Sequence, residues 1–373
     1  RSWPPRRRKD APMATLAPDR PTVAARLRRA GGRAVTGAAL PALLASLVVG
    51  AIVLLTAGTN PITGYEALVR GVLLDTNLPY LAAAFAPILG MAVSFAIPLR
   101  MGEFNLGGDG QLVLGGITAA AVAMAIPSWG LAGFGVAAVA GAAAAALWAA
   151  LAVPLARYGR VPVIISTLLL GFPAVSFASY LARYPLTDKG TGIPQTPRLP
   201  DAMHLPALPV SAYVNLGLVV AVLVLAAYWV VDARTGTGLQ LRTLGANLRF
   251  GQYVGIDVGR RATGALAASG AVAGLTGALI VAGPPYRFID GALVTPGYTF
   301  TGVTVALIAS GRPAGLLAGS VLFTALQVGG TGMERDVGIP RQLTAIIQAS
   351  VVITFVLIVA VRAYRSRTRA GAR

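Results

Sequence analysis

GEFNLGGDGQ, residues 102–111, separates two apolar runs, LAAAFAPILGMAVSFAIP (81–98) and LVLGGITAAAVAMAIP (112–127). Both flanks have the composition of membrane-spanning segments, yet the ten residues between them hold two carboxylates, an Asn, a Gln and four glycines. Glycines in that number disfavour a continuous helix. Unwound backbone at membrane depth persists only against protein or beside a water-lined cavity. Asn105, Asp109 and Gln111 can cap helix ends by satisfying orphan amide groups, or they can face a pathway for a polar solute. The residues alone leave both readings open.

The rest of the chain supports the membrane setting. Its 373 residues are 55% hydrophobic and 12% charged, with a mean hydropathy of +0.71, whereas soluble domains carry about a quarter charged residues. Ten apolar stretches can be marked, near 38–58, 80–98, 112–126, 130–155, 163–183, 211–231, 263–283, 298–311, 314–331 and 340–361. The third and eighth are short for a hydrocarbon core of about 30 Å. The expected fold is therefore all-α, a polytopic transmembrane helical bundle of about ten spans, or eight if the two short stretches are re-entrant. A basic arm (1–37) precedes the transmembrane domain (38–361), and a basic tail (362–373) follows it. Met13 reads as a natural start, and the first apolar run as a retained helix rather than a cleaved signal.

Charge distribution orients the bundle. Of 31 Lys and Arg, ten lie in the first 33 residues and five in the last twelve. The net charge of +18 could attract nucleic acid, but basic residues crowded beside apolar spans mark cytoplasmic segments instead. With both termini in the cytoplasm, 24 of the basic residues fall inside and six outside. Segment 184–210 is then external, and its six prolines exclude a helix. It reads as an ordered cap or a spacer. Segment 232–262 is internal. A short amphipathic helix near 246–254 would present Leu248, Phe250, Tyr253 and Val254, either to a partner protein or to lipid headgroups.

Several chemistries are excluded. The chain has no cysteine and a single histidine, His204, so thiolate catalysis and multi-histidine metal sites are out, and His204 reads as a solvated loop residue. The two lysines, Lys9 and Lys189, precede Asp and Gly, so there is no phosphate-cradling loop ending in Lys-Ser or Lys-Thr. No nucleophile elbow accompanies the histidine, so no catalytic residue is assigned. Glycines at 311, 315 and 319, and at 270 and 274, have the spacing of close helix packing.

Three phrases carry a family resemblance. GEFNLGGDGQLVLGG resembles the F-N-I-G-x-E-G-Q phrase of permease subunits of bacterial ABC importers for nucleosides and simple sugars. RTLGANLRFGQYVGIDVGR is similar to that family's R-x-x-G-x-N-x-x-x-A-x-Y-x-G-I-x-V segment, and GYTFTGVTVALIASGRPAG to its G-Y-x-F-x-G-I-A-V-A-L-L-G-x-x-x-P-x-G phrase. The matches fall in order across residues 80–360. The departures are Asp109 for the family's Glu, Leu248 for a frequent Pro, Gly251 for Ala and Ala309 for Gly.

The resemblance implies a non-enzymatic, multi-pass permease of the bacterial inner membrane, working by alternating access. Its partners would be a cytoplasmic ABC ATPase that binds ATP and Mg, an extracytoplasmic solute-binding lipoprotein, and a second permease forming a heterodimer. The solute would be a nucleoside or, next, a simple sugar. Phe104, Asn105, Asp109 and Gln111 would line or brace the pathway. Arg242, Gly245, Asn247, Tyr253, Gly255 and Ile256 would serve ATPase coupling. A stand-alone carrier or channel, its 232–262 segment lying on lipid, is the alternative.

Overall fold

A computed structural model describes residues 31–338 apart from 57, 74–76, 209 and 210, with scattered helical positions between 343 and 358. Most of the basic arm, the whole basic tail and much of the tenth apolar stretch lie outside the described residues. The helices are α1 (Gly31–Thr56), α2 (Pro61–Leu73), α3 (Leu78–Leu99), α4 (Gly108–Ala125), α5 (Gly130–Ala150), α6 (Ala152–Gly159), α7 (Val163–Arg183), α8 (Leu216–Arg234), α9 (Gly236–Ala246), α10 (Leu248–Tyr253), α11 (Val258–Val281), α12 (Tyr298–Ala309) and α13 (Pro313–Val337). Two short antiparallel strands, β1 (Ala207–Leu208) and β2 (Ser211–Asn215), precede α8. The sixth apolar stretch thus begins as a strand and becomes helical only at Leu216.

Among the described residues, seven helical segments are long and apolar enough to cross a membrane: α3, α4, the run from Pro127 to Gly159, α7, α8, α11 and α13. The α1–α2 pair bends by 115° and adds at most an eighth. The stretch at 298–311 forms only the 12-residue α12, about 18 Å long at 1.5 Å per residue, too short to span.

Two apolar cores meet along the bundle. One joins α4, α5, α7 and α11 through Leu112, Ile117, Phe134 and Val281; the other joins α3, α8, α12 and α13 through Leu89, Phe95, Val305 and Phe323. In the first, glycine permits backbone contact. A Cβ on Gly115 would overlap Gly274 of α11, and one on Gly277 would overlap the Leu112 carbonyl of α4. Lipid offers little hydrophobic drive for helix association, so this close van der Waals approach supplies the adhesion. Gly270 and Gly274 pack on Ala145 and Gly141 of α5, while Gly315 and Gly319 pack on Ala309 and Val305. Gly311, predicted to share that last face, instead occupies a left-handed turn at φ +67° between α12 and α13.

Residues 184–208 form an ordered cap. Thr196 N–H donates to the Phe288 carbonyl at 2.9 Å, Leu199 N–H to Tyr286 at 2.8 Å and Leu205 N–H to Ala282 at 3.1 Å, while Leu199, Met203 and Leu205 join the first core. His204 is not a solvated loop residue. Its ring stacks on Tyr286 at 3.8 Å between centroids, and Nε2 lies 3.0 Å from the Leu199 carbonyl. The prolines exclude a helix, but burial of these three apolar side chains orders the segment.

Candidate functional site

The polar decapeptide lies inside the bundle because the chain doubles back. α3 ends where Arg100, Met101 and Gly102 turn, with Gly102 at φ +90°. Residues 103–107 then run without helical structure back toward the middle of α3. α4 starts there, with Gly108 beside Met91 and Thr299. Met91 lies eight residues before Leu99, about 12 Å up the helix. α4 therefore begins within the bundle, and its first turn meets the first turn of α12 at Thr299. Asp109, in the first turn of α4, lies beside the Thr299 side chain. A carboxylate there complements the positive end of the helix dipole.

The interior start leaves amide groups that water cannot reach, and side chains satisfy them. Asn105 Oδ1 accepts from Gly107 N–H at 3.2 Å, and Thr167 Oγ1 from Leu106 N–H at 3.1 Å. Asn105 and Gln111, each 2% exposed, form a reciprocal amide pair. Asn105 Nδ2 donates to Gln111 Oε1 at 2.7 Å, and Gln111 Nε2 donates to Asn105 Oδ1 at 2.9 Å. Asn105 Nδ2 also donates to Ser269 Oγ of α11 at 2.8 Å, and Ser94 Oγ of α3 donates to the Ser269 carbonyl at 2.8 Å. This brace crosses the seam between the two cores. Phe104 meets Phe95 edge-on at 5.8 Å and packs against the second core. Asn105 and Gln111 are thus enclosed braces, whereas Asp109 stays partly accessible. Glu103 lies just past the end of α3, and burial pushes its carboxyl above the ordinary carboxylate range.

At the end of the bundle away from the cap, α9 and α10 form a hook. Each turn is set by a local cap. Thr235 Oγ1 accepts from Gly238 N–H, Asn247 Oδ1 from Phe250 N–H at 3.1 Å, and Asp257 Oδ1 from Arg260 N–H at 3.0 Å, which are the contacts that fix helix starts. Leu241, Leu244 and Ile256 seat the hook on Met101, Ala262 and Ala265. Gly245 is buried, Arg242 and Ile256 are half-buried, and Gly255 turns at φ +84°. Asn247 and Gly255 shape the hook, while Tyr253, 90% exposed, projects from it beside Phe250 and Val254. The six coupling candidates share this one element but form no single contact cluster.

A third group escaped the sequence reading. Arg100 Nη2 and Asp232 Oδ2 lie 2.6 Å apart with side chains 10% and 8% exposed. Arg100 Nε also donates to Tyr228 Oη at 3.0 Å, and Tyr228 Oη donates to the Gly311 carbonyl at 2.6 Å. The cluster pins the ends of α3 and α12 to the last turn of α8, where the hook begins. Its sequence signal is two lone opposite charges at the ends of apolar stretches, 132 residues apart. Ionisable groups in such a place are by default functional or paired.

An apolar bundle with a half-length helix and a helix that starts in its interior is an arrangement that membrane transport proteins use. The family model described as the permease component of branched-chain amino acid transport systems matches residues 77–366, and the chain belongs to that family. A glucose ABC transporter permease of Haloferax volcanii is 30% identical over 322 residues, covering 83% of this chain and 84% of the relative. A guanosine ABC transporter permease of Bacillus subtilis is 28% identical over 323 residues, 84% of this chain and 91% of its own. A nucleoside ABC transporter permease of Lactococcus lactis is 25% identical, with 84% and 88% covered. The chain is a multi-pass permease subunit of an ABC importer.

Proposed function

We propose that this permease moves a nucleoside or, next, a simple sugar across a bacterial inner membrane, driven by a separate ATPase seated on the α9–α10 hook. The relatives transport glucose, guanosine and nucleosides by name, which supports a solute from these two classes. The arrangement has eight or more spans and both termini in the cytoplasm. A second permease completes a heterodimer, an extracytoplasmic lipoprotein delivers the solute, and ATP and Mg stay on the ATPase.

The observation that carries the reading is the hook. It is capped at three turns, seated on the bundle by buried leucines, and tipped by an aromatic side chain 90% exposed. A large exposed aromatic on a rigid projection is the anatomy of a protein-binding anchor. Because α8 enters the hook at Asp232, which is ion-paired to Arg100, force on the hook reaches α3 and α12 directly. Those helices flank the interior start of α4, where Phe104, Asn105, Asp109 and Gln111 lie. Alternating access is then a shift along the seam that Asn105 braces.

The test is affinity recovery of the solubilised chain from its own host, comparing wild type with Y253A combined with G255P. The expected result is an ATP-binding subunit on the wild-type chain that is lost with the variant. Solute uptake that survives complete ATP depletion would replace this reading with a stand-alone carrier.

A further inference from the structure

The α5–α6 pair is longer than the hydrocarbon it crosses. The apolar run from Pro127 to Gly159 has 33 residues, whereas about 20 suffice for a hydrocarbon core of ~30 Å. From Gly130 to Tyr158 the pair rises about 42 Å at 1.5 Å per residue, which matches the ~40–45 Å of a bilayer with its headgroups. Trp129 stands exposed before one end and Tyr158 at the other, where amphipathic rings meet headgroups. The eight-residue α6 therefore lies at headgroup depth, on the hook side of the bundle.

Its two faces differ. Ala152 and Ala156 continue the buried row of Ala145 and Ala149 on α5, and Val153 packs on the hook cluster of Leu241, Leu244 and Ala262. On the opposite side Leu147, Leu151, Leu155 and Tyr158 run at helical spacing, all exposed, Tyr158 to 85%. Arg157 follows Val153 by one turn and flanks that apolar row. Arg160 ends α6 at φ +53°, in the left-handed region where glycine is the unstrained residue. A long basic side chain is thus kept at this turn against the backbone preference, a departure of the kind that marks functional positions. Both arginines are exposed, and among the described residues neither has an acidic partner.

The geometry points to a binding site for an anionic phospholipid, its phosphate held by Arg157 and Arg160 and an acyl chain laid along Leu155, Leu151 and Leu147. Charge selects the ligand. On this side of the bundle the exposed cations are Arg157, Arg160, Arg234, Arg249, Arg260 and Arg312, against one exposed carboxylate, Asp257, among the described residues. A zwitterionic lipid would set its own cation against this surface, whereas phosphatidylglycerol brings countercharge alone. Each basic side chain near an anionic leaflet favours binding by about fivefold.

The site bears on the hook. A helix of eight residues does not hold its conformation alone, so α6 depends on what covers it, the hook cluster on one face and lipid on the other. Lipid on the outer face steadies Val153 and with it the seat of the hook. The proposal takes the cytoplasmic placement of the hook from the importer reading.

The chain has no native cysteine, so Leu155→Cys carries a single fluorophore on the lipid-facing row. The assembled complex is placed in phosphatidylcholine nanodiscs that contain nitroxide-labelled phosphatidylglycerol or, at the same mole fraction, nitroxide-labelled phosphatidylcholine. The expected result is quenching at least threefold stronger by phosphatidylglycerol. Arg157→Gln with Arg160→Gln should abolish that preference, while Arg157→Lys with Arg160→Lys and the distant pair Arg234→Gln with Arg312→Gln should keep it. Solute-stimulated ATPase activity should fall at least fivefold in pure phosphatidylcholine. Equal quenching by the two lipids in wild type, or a preference that survives Arg157→Gln with Arg160→Gln, would overturn the site. Quenching lost on assembly but present in the chain alone would overturn it as well, giving the patch to the ATPase. Selective quenching with unchanged stimulation would overturn the link to the hook. Selective quenching beside ATP-independent uptake would uphold the site and count against the importer reading.

Discussion

Replacing Asp232 by Asn should uncouple the hook from the bundle. The substitution keeps the size and an acceptor oxygen but leaves the Arg100 guanidinium, 10% exposed, without its countercharge. Two unit charges about 4 Å apart at an effective dielectric constant of 20 attract by about 4 kcal/mol. Removing one partner of a buried pair costs roughly 3–5 kcal/mol, because the other charge stays desolvated. The bonds from Arg100 to Tyr228 and to the Ser310 carbonyl persist, so the low end of that range, ~3 kcal/mol, is expected for D232N. That is about a hundredfold in an equilibrium constant. R100M combined with D232L removes both charges and should recover most of the stability, but not the link between hook and helices.

The assay is a double-mutant cycle of R100M, D232L and their combination on the unfolding midpoint in a graded denaturing detergent, with D232N measured alongside, run beside solute-stimulated ATPase activity of the assembled complex. The expected outcome is a coupling energy of roughly 2–4 kcal/mol, with stimulation lost in D232N and in the double variant. A coupling energy below about 0.5 kcal/mol, the level of an exposed pair, together with normal stimulation, would refute the reasoning.

Three further outcomes are expected. Gly277→Val places a side chain against the Leu112 carbonyl of α4 and should cost ~3 kcal/mol or more, overpacking with no flexible neighbour to yield; a monodisperse size-exclusion peak at wild-type yield would count against the close helix approach. Asn105→Ala leaves Gln111 and Ser269 short of a partner and should destabilise by roughly 1–3 kcal/mol for each buried polar group stranded, read from the unfolding midpoint, whereas an unchanged midpoint would show that the brace carries no load. Tyr253→Ala, at a site 90% exposed, should shift stability by less than ~0.5 kcal/mol yet cut ATPase recovery at least tenfold, and equal recovery would move the anchor elsewhere on the hook.

Local chemistry made the hook legible before any coordinates. The sequence reading placed a short helix near 246–254, and α10 runs from Leu248 to Tyr253, because Asn247 is a cap whose oxygen reaches an amide three residues on. The polar decapeptide was recognisable as a helix break for the same reason, since four glycines within ten residues act on their own backbone. What Asn105 and Asp109 do was not legible. Capping and pathway lining use the same residue types, and enclosure, which distinguishes them, depends on α11 and α12, more than 150 residues away.

The sequence by itself determined the membrane setting, the transport class and the positions of most helices, because hydropathy, caps and turn residues act over a few positions along the chain. Only the tertiary structure decided that the 298–311 stretch stops half-way, that Arg100 finds Asp232, and that Gly311 turns instead of packing. Helices apolar on every side do not encode which side meets lipid and which meets protein. A lone charge or amide names no partner until folding brings one within 3 Å of it.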